Sequence, residues 1–118
     1  MACKIKNQNG ILTINNEVIA KIAGHAAMEC YGIVGMAAKN LKDGFAQLLN
    51  RENIAKGIRI TADGGGIVID LHIIVEYGTN IPAISDTLVS TVKYRVEECI
   101  GINVDKINIF VEGIRVNL

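Results

Sequence analysis

The chain has no tryptophan, one proline, few aromatic residues and no excess of either charge. Lysine plus arginine and aspartate plus glutamate each number 12 among 118 residues, so the formal net charge at pH 7 is zero. A nucleic-acid-binding domain usually concentrates a basic excess on one face, and this composition shows no such excess. A balanced charge also produces little self-repulsion, which permits self-association.

The three cysteines, Cys3, Cys30 and Cys99, lack the CxxC spacing of metal and redox sites. An odd cysteine count suggests reduced thiols and a cytoplasmic location. Cys30 and Cys99 fall on apolar faces of predicted helices, where cysteine usually acts as a small buried hydrophobic residue. We therefore expect both thiols to be buried.

Long apolar runs are also missing. The N-terminal segment MACKIKNQNG contains none, so we expect no signal peptide. The longest candidate, residues 67–77, is interrupted by Asp70, His72 and Glu76 and is too short for a membrane span. We expect a protein that does not itself insert into a membrane.

The length and the apolar content predict one domain with its own core, over residues 10–118, preceded by a polar tail over residues 1–9. Residues 17–36 predict a helix and then a short strand. Asn15 or Asn16 is suited to cap the helix, and Gly32 can end it in a left-handed conformation. The side chains on the apolar half of this helix are Val18, Ile19, Ile22, Ala23, Ala26, Ala27 and Cys30.

The rest of the chain alternates strands and helices. A strand from Gly57 turns at residues 63–66 into a second strand at 67–77, whose odd-numbered residues are apolar. A second helix runs from Pro82 to about Ile100, and a last strand covers 104–116. With a short strand at 10–14 and a short helix from Phe45, Leu48 and Leu49, the order is β-α-β-(short α)-β-β-α-β. The predicted fold class is α/β (α+β): a two-layer sandwich with a mixed sheet and two main helices on one face.

Three local patterns raise chemical alternatives. Asp70, His72 and Glu76 share one face of a strand and offer metal-ligand atoms, but the first and last are too far apart to bind one ion. His25 has no adjacent nucleophile. The glycine patterns at 32–35 and 63–66 fit a helix end and a hairpin turn better than a phosphate loop. We expect no catalytic residue, no metal and no cofactor.

Several segments together resemble one family. EVIAKIAGHAAMECYGIVGMAAKN at 17–40, IDLHIIVEYGTNI at 69–81 and VKYRVEECIGINVDKINIFVEGIRV at 92–116 are similar to the alkaline-shock, or general-stress, family of Gram-positive envelope stress proteins. The resemblance spans roughly residues 10–117 and is nearest to the short, single-domain members. It implies a role in cell-envelope stress or homeostasis.

The same resemblance implies partners. Longer relatives reach the membrane through a membrane-anchored protein, which would place this chain at the inner side of the cell membrane. Short members are often encoded beside a fatty-acid kinase of the dihydroxyacetone-kinase type. That arrangement implies a link to the supply of fatty acids and phospholipids, with a lipid-metabolism protein as a partner.

Apolar residues at outward positions predict a contact surface for a second copy or another protein. A one-residue bulge near Gly113 would instead turn Ile114 inward. The predicted surface residues are Phe110, Ile114, Val116, Val68, Ile74, Met28 and Tyr31. The sequence thus favours a non-enzymatic, homo-oligomerising interaction module.

The alternative is a small RNA-binding protein of the KH type, because Gly32 and Gly35 form a GxxG pattern. Its nucleic-acid contacts would be Lys39, Lys42, Arg51 and Lys56. Acidic residues are interspersed among them, so the nucleic-acid interpretation is the less favoured of the two.

Overall fold

The computed structural model describes residues 2–37 and 51–116. In chain order these form β1 (Ala2–Asn7), β2 (Gly10–Asn15), α1 (Asn16–Met28), β3 (Ile33–Met36), a 3₁₀ helix (Arg51–Gly57), β4 (Ile58–Asp63), β5 (Gly66–Glu76), α2 (Ile81–Ile100) and β6 (Asn103–Arg115). The predicted α+β class is confirmed. The short helix predicted from Phe45, Leu48 and Leu49 lies outside the described residues.

The N-terminal residues form a strand that the sequence does not predict. β1 pairs antiparallel with β2, with Ile5 opposite Leu12 and Lys4 opposite Thr13. The lysines flanking Ile5 give β1 a polar composition, but its alternation matches that of β2 and gives the hairpin one apolar side. Residues 2–7 are therefore strand, while the domain boundary at residue 10 stays a prediction.

The start of α1 is set by Asn15, whose side-chain oxygen accepts a hydrogen bond of 2.8 Å from the backbone N–H of Glu17. This satisfies one of the free amide groups of the first helical turn. The helix ends at Met28, earlier than predicted. Gly32 does adopt a left-handed conformation, with a φ of 86°, but it does so at the entry to β3.

The two termini of α2 are also encoded locally. The side chain of Asn80 accepts a hydrogen bond from the N–H of Ala83, and Pro82 lies in the first turn. Proline is favoured there because its missing N–H has no helical partner in any case. Gly101 ends the helix in a left-handed conformation. The predicted bounds of this helix are confirmed.

β5 is the central strand of the main sheet. β6 runs parallel to β5 along its whole length, and α2 is the crossover connection between them. On the other edge of β5, β4 pairs with residues 66–71 and β3 with residues 73–75, both antiparallel. The sheet is therefore mixed, as predicted, and within the described residues it is three strands wide at any level.

The core lies between one face of this sheet and the helices. The apolar row of β5 is almost inaccessible, and Leu88, Val92 and Val96 of α2 are fully buried. α1 contributes Ile19, Ala23 and Ala27 to the same cluster. The helices thus cover one face of the sheet, as the alternation in β5 predicts.

Candidate interaction surface

β6 forms an edge of the main sheet. It pairs with β5 on one side, and no other strand within residues 2–37 and 51–116 pairs with its outer side. Strand edges carry unpaired N–H and C=O groups and are therefore sites where another chain can add. The side chains of Phe110, Val111 and Ile114 along this strand are 43%, 37% and 54% exposed. The edge is both long and apolar.

The face of the sheet that the helices leave open is ordered by contacts between β5 and β6. The rings of His72 and Phe110 stack with centroids 4.7 Å apart and planes 13° from parallel. Glu112 places a carboxylate oxygen 3.4 Å from Nδ1 of His72. Asn108 donates a hydrogen bond of 2.9 Å to Asp70. Phe110 is thus held in one orientation on the open face, as its predicted outward position requires.

The register between β5 and β6 changes twice. Ile73 pairs with Val111 and Ile74 with Gly113, so Glu112 is an extra residue. Asp105 is a second extra residue near the start of β6. After the bulge at Glu112, Ile114 pairs with Val75 and lies on the helix-facing side of the sheet. Ile114 and Phe110 therefore occupy opposite faces, which corrects the prediction of a single outward surface.

Ile114 and Val116 are nevertheless exposed, at 54% and 53%. The helix-facing row of β6 is buried at Val104 and becomes progressively more accessible toward the C-terminal end of the strand. The helical layer thus leaves the end of β6 uncovered. These two residues remain candidates for contact, but from the helix side.

The two predicted surface residues on β5 are less accessible than expected. Val68 is half-buried and Ile74 is only 7% exposed. Little of the Ile74 side chain is therefore accessible to a partner, although its strand neighbours are Gly35 of β3 and Gly113 of β6. Ile74 is therefore removed from the predicted surface.

Met28 and Tyr31 lie apart from β6. Met28 is half-buried and lines a shallow groove with His25, Glu29 and Ile54. Tyr31 is 85% exposed in the turn between α1 and β3. The helix ends before Tyr31, so this residue does not share the outward face of the helix as predicted.

The candidate chemical residues do not converge. Asp70 accepts a hydrogen bond from Asn108, and His72 contacts Glu112. Glu29, one turn from His25, pairs with Arg95 of α2 at 2.5 Å. Across the described ranges there is no group of three or more histidine, cysteine, aspartate or glutamate side chains arranged to hold a metal.

The basic residues of the nucleic-acid alternative fall mostly outside the described part of the chain. Lys39, Lys42 and the side chain of Arg51 are outside the described part. Lys56 is exposed and lines an open groove with Arg59, Asn16 and Glu17. The predicted basic cluster stays a prediction.

The two cysteines Cys30 and Cys99 and the exposed Tyr94 of α2 lie outside the β6 edge. Cys99 is exposed, contrary to the sequence prediction, whereas Cys30 is buried as predicted. A hydrogen bond from Tyr94 to Glu98, together with the charge of that carboxylate, raises the pKa of the Tyr94 phenol. Tyr94 is 62% exposed and provides a reference aromatic residue outside β6.

Lys106, Val111 and Glu112 also belong to the β6 edge, and no sequence pattern gives them a contact role. The strand follows a crossover helix, and this position predicts a parallel neighbour on one side of it. It does not show whether a second strand pairs with the other side.

Neither helix in the described ranges has the length and apolar character needed to cross a bilayer.

Comparison with known proteins places these features in a family. Residues 4–116 match the family of alkaline shock protein 23, described as having a cell envelope-related function. The chain is 46% identical to YloU, an uncharacterized protein of Bacillus subtilis (strain 168), over 98% of both chains. It is 31% identical to a stress response regulator gls24 homolog of Streptococcus pyogenes, covering 90% of this chain and 59% of that protein.

A solved structure of a MamM-CTD variant has a similar fold. The TM-score is 0.50 at 13% sequence identity, covering 88% of this chain and all of that one. At this identity the likeness concerns the arrangement of strands and helices only.

Proposed function

Because the chain belongs to the alkaline shock protein 23 family of cell envelope-related proteins, we propose that it is a non-enzymatic module that self-associates and acts in cell-envelope stress or homeostasis. One observation carries the self-association: β6 presents apolar side chains along an outer edge that no described strand pairs. Burying such side chains at a protein interface is favourable, and an added strand would satisfy the edge's N–H and C=O groups.

Phe110 provides the direct test of self-association. A carboxylate in the Phe110→Glu variant would lie beside Glu112 and would cost desolvation energy in any interface formed there. We expect its average mass in solution, measured by light scattering over a concentration series, to fall toward that of a monomer of 12.7 kDa.

The matched control is Tyr94→Glu, which places the same charge on an exposed aromatic position of α2. It should keep the mass of the unmodified protein. An unchanged mass for Phe110→Glu would remove Phe110 from the contact. A mass near 12.7 kDa for the unmodified protein at all concentrations would refute self-association itself.

The proposed partner outside the chain is a membrane-anchored or lipid-metabolism protein at the inner side of the cell membrane. The support is the envelope-related family assignment. A tagged copy recovered from its native cells should retain such a protein whether or not nuclease is added. Loss of all partners on nuclease treatment would favour the RNA-binding alternative, and alanine replacement of Lys39, Lys42, Arg51 and Lys56 would then test it.

A further inference from the structure

We infer that two copies of this chain join edge to edge through β6, antiparallel, about a two-fold axis at Ile109. This inference rests on the proposed self-association and specifies its surface. Ile109 is the middle residue of β6, which runs from Asn103 to Arg115. Only a two-fold axis at this residue lets the two strands overlap along their full length.

The charges along β6 are self-complementary in this register. Residues equally far before and after Ile109 face each other, so Lys106 faces Glu112 of the second copy, and symmetry repeats the pair. Both side chains lie on the open face: Lys106 pairs with the open-face residue Val68, and Glu112 contacts His72. Lys106 is exposed and has no ion-pair partner within the described ranges.

The apolar residues agree with the same register. On the helix side, Ile107 faces Val111 of the second copy, and Val104 faces Ile114. Asp105 faces Gly113 and Asn103 faces Arg115, so no like charges are opposed. Opposed pairs of β-branched residues and of opposite charges stabilise antiparallel strands.

A shift of the axis by one residue loses this agreement. With the axis at Phe110, Lys106 from the open face would oppose Ile114 from the helix side. With the axis at Asn108, Lys106 would oppose Phe110, and Glu112 would oppose the buried Val104. In the register centred on Ile109, one bulge residue lies on each side of the axis, so residues beyond the bulges return to matching faces.

The helical layer covers one end of β6 and leaves the other end exposed, and these two ends meet in the antiparallel pair. Val104 is 1% exposed, and its N–H donates a hydrogen bond of 2.9 Å to Glu97 of α2, whereas Ile114 is 54% exposed. The antiparallel arrangement brings the covered end of one copy beside the uncovered end of the other. The second copy's helical layer would then shield Ile114 and Val111.

Charge reversal tests the pairing. In Lys106→Glu two glutamates face each other at each end of the contact, and in Glu112→Lys two lysines do. We expect each variant to dissociate about tenfold more readily than the unmodified protein in sedimentation velocity. An equimolar mixture of the two variants should associate again as a heterodimer, because one of its two facing pairs joins the native Lys106 and Glu112 and the other joins their reversed counterparts. The double variant should recover because every facing pair is then of opposite charge.

The double variant also controls for misfolding, since reversing a second charge would not restore a chain that the first reversal had unfolded. Single variants that associate as tightly as the unmodified protein would overturn the β6 contact while leaving self-association intact. Weakened variants that the double variant does not restore would overturn the register. An unmodified protein that stays monomeric would refute the proposed self-association together with this inference.

Disulfide formation provides an independent measure of the register. Directly opposed residues in antiparallel strands have Cα atoms about 4.5 to 5.5 Å apart, which suits a disulfide. With Cys3 and Cys99 changed to serine, Ile109→Cys should cross-link to itself under mild oxidation. Asn108→Cys should cross-link only when mixed with Phe110→Cys. Efficient self-linking by Asn108→Cys would overturn the axis at Ile109.

Discussion

Gly32 is a position where a single added methyl group would be strongly destabilising. Its φ of 86° lies in the left-handed region, and a Cβ atom would meet Cδ1 of Ile84 at 2.5 Å. Its carbonyl also accepts a hydrogen bond from the N–H of Glu76, which ties the entry of β3 to the end of β5. We expect Gly32→Ala to lower the free energy of unfolding by about 2 to 4 kcal/mol, measured by urea titration.

Gly78 provides the matched control for this substitution. Its φ of 89° is nearly the same, but no atom lies within 4 Å of the added Cβ. Gly78→Ala should therefore cost only the backbone strain, about 1 kcal/mol. Equal losses for the two variants would show that the contact with Ile84 contributes nothing.

At some positions the helical periodicity of the sequence does not predict whether a side chain is buried. The apolar stripe of α2 includes Cys99, and that of α1 includes Val18, yet both side chains are exposed. Both side chains line an open groove between α1 and α2, on the side of the helices away from the sheet core. Gly24 lies outside the apolar half of α1, yet it is buried because Ile54 of the 3₁₀ helix lies against it, 3.0 Å from where a Cβ would be. A helical wheel cannot locate such neighbours.

At the level of elements, the strands that pair with β5 differ in the length of the loop that separates them from β5 in the chain. β4 and β5 are joined by a two-residue turn, whereas the whole of α2 lies between β5 and β6 in the chain. Closing a short loop costs less chain entropy than closing a long one. The β4–β5 hairpin is therefore expected to form before β6 is added.

Folding kinetics test this order. Ile60→Ala, in the hairpin, should mainly slow folding, and Val104→Ala, in β6, should mainly accelerate unfolding. Both side chains are buried, so each substitution removes enough stability to be measured. Stopped-flow chevrons at concentrations below self-association provide the rates. Equal slowing of folding by the two variants would contradict the proposed order.

The sequence predicts helices and strands well where capping residues and apolar alternation indicate the same boundaries. It predicts them poorly where the structure depends on which strands pair. Asn15 and Pro82 mark helix starts that the structure confirms in type and closely in position. β1 was missed because its apolar side exists only in combination with β2. The bulge at Glu112 depends on the register with β5, so the sequence indicated only that Gly113 could permit it.

At the scale of the whole molecule, the sequence predicted the fold class and the open sheet face, but not how the strands are arranged around β5. That arrangement depends on long-range pairing, which local patterns do not contain. The candidate surface shows the consequence. Phe110 lies on the open face as predicted, Ile74 is almost fully buried, and Ile114 lies on the opposite side of the sheet.

The unequal edges of the main sheet would limit how far the proposed pair can extend through that sheet. One edge is the continuous β6, while the other is divided between β4, of six residues, and β3, of four. Once two copies share their β6 strands, the main sheet of the assembly has these short, interrupted edges at its ends. Such edges are poor templates for further strand addition. In the proposed pair, the main sheet would thus favour a closed dimer over continued strand addition at its ends.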